Sequence, residues 1–318
     1  LEHLLVTGDT EGATLPDGAV SYEDALSAQS TSRDGLLEGR SPDDRYMLYT
    51  GGTTGMPKGV VWRHEDMFFA GMGGGNPIGE PVSSPEELAQ RINPDFQVGM
   101  FAAPPLMHGA AFLGTFIGFF QGSKVVLIRK YTGHGVCELI EREGLNTISI
   151  VGDAMALPII EDLDACGHDL STLGVISTAG AVLSQAVKDR LKEKLPNAYV
   201  LDSYGSSETG YNGSATEDSS TDSGLKFRVT SRTNVIDPDT RTLVEPGSGQ
   251  VGRVAQTGHI PIGYYGDEAK TAETFVEVGG QRWVLMGDAA TIDADGVIHF
   301  LGRGSVCINS GGEKIFPE

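Results

Sequence analysis

The chain of 318 residues is 39% hydrophobic, enough to bury a large core as a soluble globular protein of more than one structural unit and to exclude a disordered tail. Its 23 Lys and Arg against 43 Asp and Glu give a formal charge of −20, which argues against nucleic acid or an anionic membrane surface as a partner. Three widely spaced cysteines, Cys137, Cys166 and Cys307, form neither a disulfide framework nor a zinc-ligand spacing, and fit a reducing cytoplasm.

Residues 1–40 are acidic and poorly periodic beyond a short helix near YEDALSAQS (22–30), and the opening Leu1 and closing FPE are those expected of a piece of a longer protein. RYMLY (45–49) then reads as a buried strand, YTGGTTGMPKG (49–59) as a glycine-rich loop and HEDMFFAGM (64–72) as a helix. Glycine lets the backbone approach a ligand closely, and Thr50, Thr53, Thr54 and Lys58 add hydroxyls and a mobile cation, an inventory that suits a polyphosphate. Strand, loop, helix is the order expected of such a site. The P-loop of ATPases fails on spacing, because Lys58 follows Pro57 and precedes Gly59, and no dinucleotide fingerprint fits. For this stretch alone, a ligand-free surface loop is the alternative.

Strand-like runs FQVGMFAA (96–103), KVVLI (124–128), TISIV (147–151), GVIST (174–178) and AYVLDS (198–203) alternate with helical segments around 110–121, 134–143, 153–166 and 184–194. This alternation predicts an α/β fold: a helix-flanked, mostly parallel sheet whose ligands collect beyond the carboxyl ends of the strands, in the loops after Tyr49, Ser177 and Ser203. AAFLGTFIGFF (110–120) is too short to cross a bilayer. Gly71, Gly73, Gly74, Gly75, Gly114 and Gly118 serve either a bulky substrate or close helix packing. After about residue 211 short runs (KFRVT, TNVID, GQVGRV, RWVLMGD) predict an antiparallel β subdomain, with Asp295-Gly296 turning a hairpin between Ile292 and Val297. SATEDSSTDSG (214–224) reads as a mobile loop.

Three further stretches have a chemical reading. STAGAVLS (177–184) offers a flat turn for a planar ring; DSYGSSETG (202–210) offers the Tyr204 ring, the Ser207 hydroxyl and a Glu208 carboxylate able to ligate a hard cation; Asp288 in WVLMGDAA ends a strand, where it can accept from two ribose hydroxyls. Singly, Tyr204 is equally core, Glu208 a solvated charge and Asp288 a turn residue.

Their order is what discriminates. YTGGTTGMPKG, TAGAVLS, YGSSETG, MGD and GRGSVCINSGGEKIFP in sequence resemble the adenylate-forming, AMP-binding superfamily, most of all the fatty-acyl-CoA synthetases of actinobacteria. The resemblance implies the large N-terminal domain of such an enzyme: an incomplete segment 1–40, an α/β nucleotide- and acyl-binding region 41–210, the β subdomain 211–302, and 303–318 as hinge and start of a C-terminal domain. It implies that Thr50, Gly52, Thr53, Thr54, Gly55 and Lys58 hold the β- and γ-phosphates, that Gly180, Ala181 and Tyr204 clamp adenine beside Asp202, and that Asp288 and Arg303 contact ribose. Ser207 then lies by the α-phosphate, Glu208 ligates Mg2+, and His108 borders the carboxylate pocket. Lys58, Thr53, Thr54, Ser207 and Glu208 are the expected catalytic set. Gly51 stands where serine is common, and Ser305 and Val306 replace the usual charged hinge residues.

The implied activity is a cytoplasmic acid–thiol ligase: ATP and a fatty or other bulky carboxylic acid give acyl-AMP and pyrophosphate, and coenzyme A takes the acyl group. A truncated large domain is expected to be inactive alone. The alternatives are a ligase that loads a carrier protein and a nucleotide-binding module without turnover. No nucleic-acid partner and no transmembrane segment are expected; peripheral membrane contact stays open.

Overall fold

The computed structural model describes residues 4–7, 14–36, 38–50, 57–76, 79–181, 183–215, 226–303, 308–310 and 313–315. The chain divides into two compact units, Leu1–Ser41 and Pro42–Glu318. In the first, β1 (Leu4–Val6) pairs in parallel with β2 (Ala19–Ser21), which runs into α1 (Tyr22–Ser27).

The second unit opens with β3 (Arg45–Thr50), β4 (Lys58–Arg63), α2 (His64–Gly71) and α3 (Pro85–Arg91). The expected order of strand, loop, helix is corrected here: the glycine-rich loop joins two antiparallel strands, and the helix follows only after β4. Lys58–Arg63 contains Val60, Val61 and Trp62, β-branched and aromatic residues that favour a strand, and all three are buried. Within β3, by contrast, only Leu48 is buried.

Next come β5 (Gly99–Ala102), α4 (Gly109–Phe120), β6 (Lys124–Val126), α5 (Gly133–Glu143), β7 (Thr147–Ile150), α6 (Gly152–Cys166), β8 (Val175–Thr178), α7 (Gln185–Lys194), β9 (Tyr199–Ser206) and β10 (Gly210–Ala215). Strands β6, β5, β7, β8 and β9 lie in parallel and β10 closes one edge antiparallel, so the helix-flanked parallel sheet is present as predicted. Strand β9 runs past Ser203 to Ser206, which moves the turn at its carboxyl end to residues 207–209. The core between sheet and helices includes Phe101, Ile140, Ile148, Ile159, Ile176 and Leu191.

The remaining elements are β11 (Lys226–Arg228), β12 (Thr233–Asp237), β13 (Thr242–Leu243), β14 (Gly252–Thr257), β15 (Gly263–Tyr264), α8 (Glu268–Thr274), β16 (Phe275–Val278), β17 (Gln281–Ile292), β18 (Val297–Arg303), β19 (Ile308–Ser310) and β20 (Glu313–Ile315). Seven of these strands form an antiparallel sheet, and β17 and β18 meet at the Asp295-Gly296 turn as expected. Two features depart from the sequence reading. Helix α8 interrupts the β region, started by Asp267, whose carboxylate accepts from Lys270 N at 2.9 Å. Asp288 lies inside β17, paired in register with Arg303 of β18 just before an irregularity between Ala289 and Ala290, not at a strand end. Strand β15 leaves this region to pair with β4, so β15, β4 and β3 form a third sheet.

The glycines near the expected acyl pocket divide. A Cβ on Gly71 would lie 2.5 Å from Met67 Sδ, on Gly74 2.5 Å from Pro81 Cβ, on Gly75 2.8 Å from Leu88 Cδ1 and on Gly118 2.2 Å from Met100 Sδ, so these four serve close packing. Gly114 would meet nothing within 4 Å. Residues 216–224 of SATEDSSTDSG, and Ser305 and Val306, lie outside the described residues. Among the described residues no helix is long and apolar enough to cross a membrane.

The tightest helix contact in the parallel layer is at Gly133, where a Cβ would sit 1.9 Å from the carbonyl oxygen of Pro158 in α6. Backbone cannot yield as a side-chain tip does. Gly133→Ala is therefore expected to lower unfolding free energy by about 1–3 kcal/mol, read as a lower urea midpoint, and an unchanged midpoint would refute this account of the α5–α6 contact.

Candidate active site

The site grows from the turn between β9 and β10. Thr209 is fully buried, and its hydroxyl accepts from Ser206 N at 3.1 Å and from Asn212 Nδ2 at 2.9 Å, while Ser206 Oγ accepts from Glu208 N at 3.2 Å. These bonds fix the backbone that carries Ser207 and Glu208. Gly210 allows the turn to close: its φ is +69°, and a Cβ there would lie 2.8 Å from the Ala70 backbone in α2.

The three-stranded sheet grips this turn twice. The buried Trp62 indole of β4 donates from Nε1 to the Ser207 carbonyl at 2.9 Å, and the Tyr264 hydroxyl of β15 donates to Glu208 Oε1 at 2.9 Å. Lys58, first residue of β4, places its ammonium 5.5 Å from the Tyr264 ring centroid and 3.8 Å from Asp267 Oδ2. Burial, reinforced by the Glu208 charge, pushes the Tyr264 hydroxyl well above its ordinary range, so it stays protonated as a donor. Glu208, Tyr264 and Lys58 thus form one run of carboxylate, phenol and ammonium.

A second group lies where β9 meets the antiparallel sheet. Tyr204 donates its hydroxyl to Asp288 Oδ2 at 2.9 Å and lies 3.2 Å from Met286 Sδ, with its ring edge-on to Phe300 at 4.9 Å between centroids. Thr178 pairs with Asp202, so Gly180 and Ala181 leave β8 alongside Tyr204. Their loop is tied back by Ser184 N donating to Asp153 Oδ1 at 2.7 Å. Asp202 itself accepts from the Lys188 ammonium of α7, an ion pair that anchors β9 to that helix.

Of the other expected residues, Thr50 is the last residue of β3 and pairs with Lys58, so the two strand ends flanking the glycine-rich loop are held together. Gly52, Thr53, Thr54 and Gly55 lie outside the described residues, as does departure Gly51. Arg303 pairs in register with Asp288, and its side chain lies outside the described residues. His108 is exposed at the start of α4, beside Gly109, whose Cβ would lie 3.0 Å from Leu48 of β3. Sequence reasoning missed Trp62, Thr209 and Tyr264. The strand character of KGVVWR could have pointed to Trp62, whereas nothing separates Tyr264 from the exposed Tyr265 beside it.

Comparison with known proteins decides the family. The model of the family described as AMP-binding enzyme matches residues 5–265. The chain belongs to that family. It is 44% identical over 310 residues to a 3-oxocholest-4-en-26-oate–CoA ligase of Rhodococcus rhodochrous, covering 95% of this chain and 55% of that protein. It is 43% identical over 322 residues to the medium-chain acyl-CoA ligase Mig of Mycobacterium avium, covering 100% and 58%. This AMP-binding chain therefore spans a little over half the length of these relatives. Its fold matches that of an o-succinylbenzoate coenzyme A synthetase from Bacillus subtilis solved in complex with AMP, with a TM-score of 0.67 at 22% identity over 94% of this chain and 57% of that one.

Tyr264→Phe keeps the ring beside Lys58 and removes the hydrogen bond to Glu208. Loss of a bond to a charged group costs about 1.5–3 kcal/mol, so ATP affinity in the presence of Mg2+ should fall by roughly tenfold or more, with AMP affinity unchanged. Calorimetry with both nucleotides checks it; equal losses for ATP and AMP would contradict a role at the phosphate end.

Proposed function

We propose that the protein carrying this chain is an AMP-forming acyl-CoA synthetase. The observation that carries the nucleotide reading is the bond from Tyr204 to Asp288, 2.9 Å long between residues 84 positions apart, which joins an aromatic ring and a ribose-suited carboxylate from two different sheets. The relatives named as CoA ligases support coenzyme A as acceptor and a medium-chain or steroid-like acid as substrate. The open space at Gly114 in an aromatic helix agrees with a bulky apolar group.

A carboxylate attacking the α-phosphorus of ATP is repelled by the polyphosphate, so the site must neutralise charge and hold attacking and leaving oxygens in line. Lys58, at the base of the phosphate loop, supplies a mobile cation to the β- and γ-phosphates, and Thr50, Thr53 and Thr54 supply hydroxyl donors. Tyr204 with Gly180 and Ala181 holds adenine, Asp288 and Arg303 hold ribose, and Ser207 lies towards the α-phosphate. Glu208 offers a half-buried hard oxygen donor held by Tyr264, a donor type that suits Mg2+, which when bound neutralises charge on the phosphates. His108 borders the acid. Pyrophosphate leaves, and the coenzyme A thiol attacks the acyl-adenylate. The partners are small molecules, and the sparse cysteines support a cytoplasmic setting.

Carboxylate-dependent exchange of pyrophosphate into ATP by the full-length protein tests the first step, and coenzyme A against a phosphopantetheinyl carrier tests the second. No exchange with any acid favours a nucleotide-binding module; transfer to the carrier alone favours a carrier-loading ligase. Within the site, Asp288→Ala should weaken ATP and AMP alike, because ribose is common to both, whereas Lys58→Ala should weaken ATP much more than AMP. Equal losses of both nucleotides in both variants would overturn this division of roles.

A further inference from the structure

None of the residues assigned above lies in a second cluster of chemically capable side chains, on α5, α6 and the turn after α6. His134 stands in the first turn of α5, Asp162 in the last turns of α6, and His168 directly follows Gly167, the left-handed residue that ends α6. His134 Nδ1 lies 3.1 Å from Asp162 Oδ1, His168 Nε2 lies 3.4 Å from Asp162 Oδ2, and the two imidazole nitrogens lie 3.3 Å apart. One ligand atom from each residue falls within 4.8 Å of the others.

Two observations point to a ligand at the centre of this triangle. Asp162 keeps only 9% of its side chain exposed, and its buried Oδ2, although 3.4 Å from His168 Nε2, receives no well-formed hydrogen bond among the described residues, a costly state for a carboxylate oxygen. His168 is oriented from behind: its Nδ1 lies 2.8 Å from Glu141 Oε2, and donating the Nδ1 proton there leaves the Nε2 lone pair facing His134 and Asp162. A carboxylate on the far nitrogen of a histidine is the arrangement that holds metal-ligating imidazoles in place.

The donor types select the kind of ion, and the separations leave room for it. Ligands about 2.0–2.1 Å from a tetrahedral centre are about 3.3–3.4 Å apart, whereas an octahedral centre at that distance brings neighbours to about 2.9 Å. The two imidazole nitrogens, 3.3 Å apart, match the tetrahedral edge, and either Asp162 oxygen, 3.1 Å from His134 or 3.4 Å from His168, can serve as the third donor. Two imidazoles and one carboxylate suit zinc-class transition metals, not magnesium or calcium. The 61% exposed His134 leaves the cluster open to solvent, so a water can complete four ligands.

We propose that His134, Asp162 and His168 bind one divalent zinc-class ion, with Glu141 orienting His168. The ion clips the start of α5 to the end of α6 and to the turn that leads into β8, so its effect is on the stability of the helical layer and not on nucleotide chemistry.

The test is a zinc titration of the metal-stripped 318-residue chain in excess Mg2+, which occupies oxygen-ligand sites, read by competition with a chromophoric chelator. One tight equivalent is expected. His134→Ala and Asp162→Asn should each weaken it by about 10²-fold or more, and Glu141→Gln, which touches no ion, by roughly 10–100-fold. X-ray absorption of the zinc-loaded wild-type chain needs no variant, and should show imidazole scattering and ligands at about 2.0–2.1 Å. A titration without a saturable equivalent, an affinity unchanged in the variants, or an all-oxygen shell would each overturn the proposal and leave a histidinium held between Glu141 and Asp162.

Discussion

The hydrogen bond from the Trp62 indole to the Ser207 carbonyl, 2.9 Å long across 145 residues of sequence, is the contact on which the site depends. Ser207 and Glu208 sit on a three-residue turn, and a turn alone would not hold a charged side chain to a fraction of an ångström. Trp62 is fully buried in β4, the strand that begins at Lys58, so its indole ties the position of that strand to the turn. An unmet indole N–H and an unmet carbonyl are both costly in that setting, so the bond resists breakage. Tyr264, paired through β15 to the same strand, adds the second tie at Glu208. The strand β4 and the turn carrying Glu208 are therefore tied at two points. The proposed adenylation, limited by charge alignment, would require such a joint.

The rest of the second unit distributes labour around this joint. The parallel sheet presents Gly180, Ala181 and Tyr204 at neighbouring strand ends, and the antiparallel sheet brings Asp288 to Tyr204 from inside a long strand. The Lys188–Asp202 pair, largely buried, holds β9 to α7 just ahead of Tyr204. Behind the sheet, Gly133 lets α5 and α6 approach at backbone distance, and that approach brings His134 to Asp162.

Much of this was legible in the sequence wherever the signal was local. Alternating apolar runs located β5, β7, β8 and their helices, and Asp295-Gly296 located its hairpin, because periodicity and turn chemistry act over a few residues. The β4 strand was passed over because a glycine-rich loop led the eye to a helix, although Val60, Val61 and Trp62 favour a strand. Asp288 reads as the end of a strand from WVLMGDAA alone, whereas the register across two partner strands carries β17 on to Ile292. Tyr264 and the His134–Asp162–His168 cluster were invisible for a different reason. Their meaning lies in contacts across 56 and 34 residues that no spacing rule encodes, and a search for cysteine pairs does not find a site built from two histidines and an aspartate.

The central claim, that Trp62 acts through the position of Glu208, is tested most directly by a double-mutant cycle on Mg-dependent ATP affinity in the full-length protein, combining Trp62→Phe with Glu208→Gln, with the stability of each variant measured alongside. If the claim is right, Trp62→Phe weakens ATP binding in the wild type but costs little once the Glu208 charge is gone, a coupling of about 1 kcal/mol or more. Additive effects, within about 0.5 kcal/mol, would contradict it and reduce Trp62 to a core residue with no hold on the site.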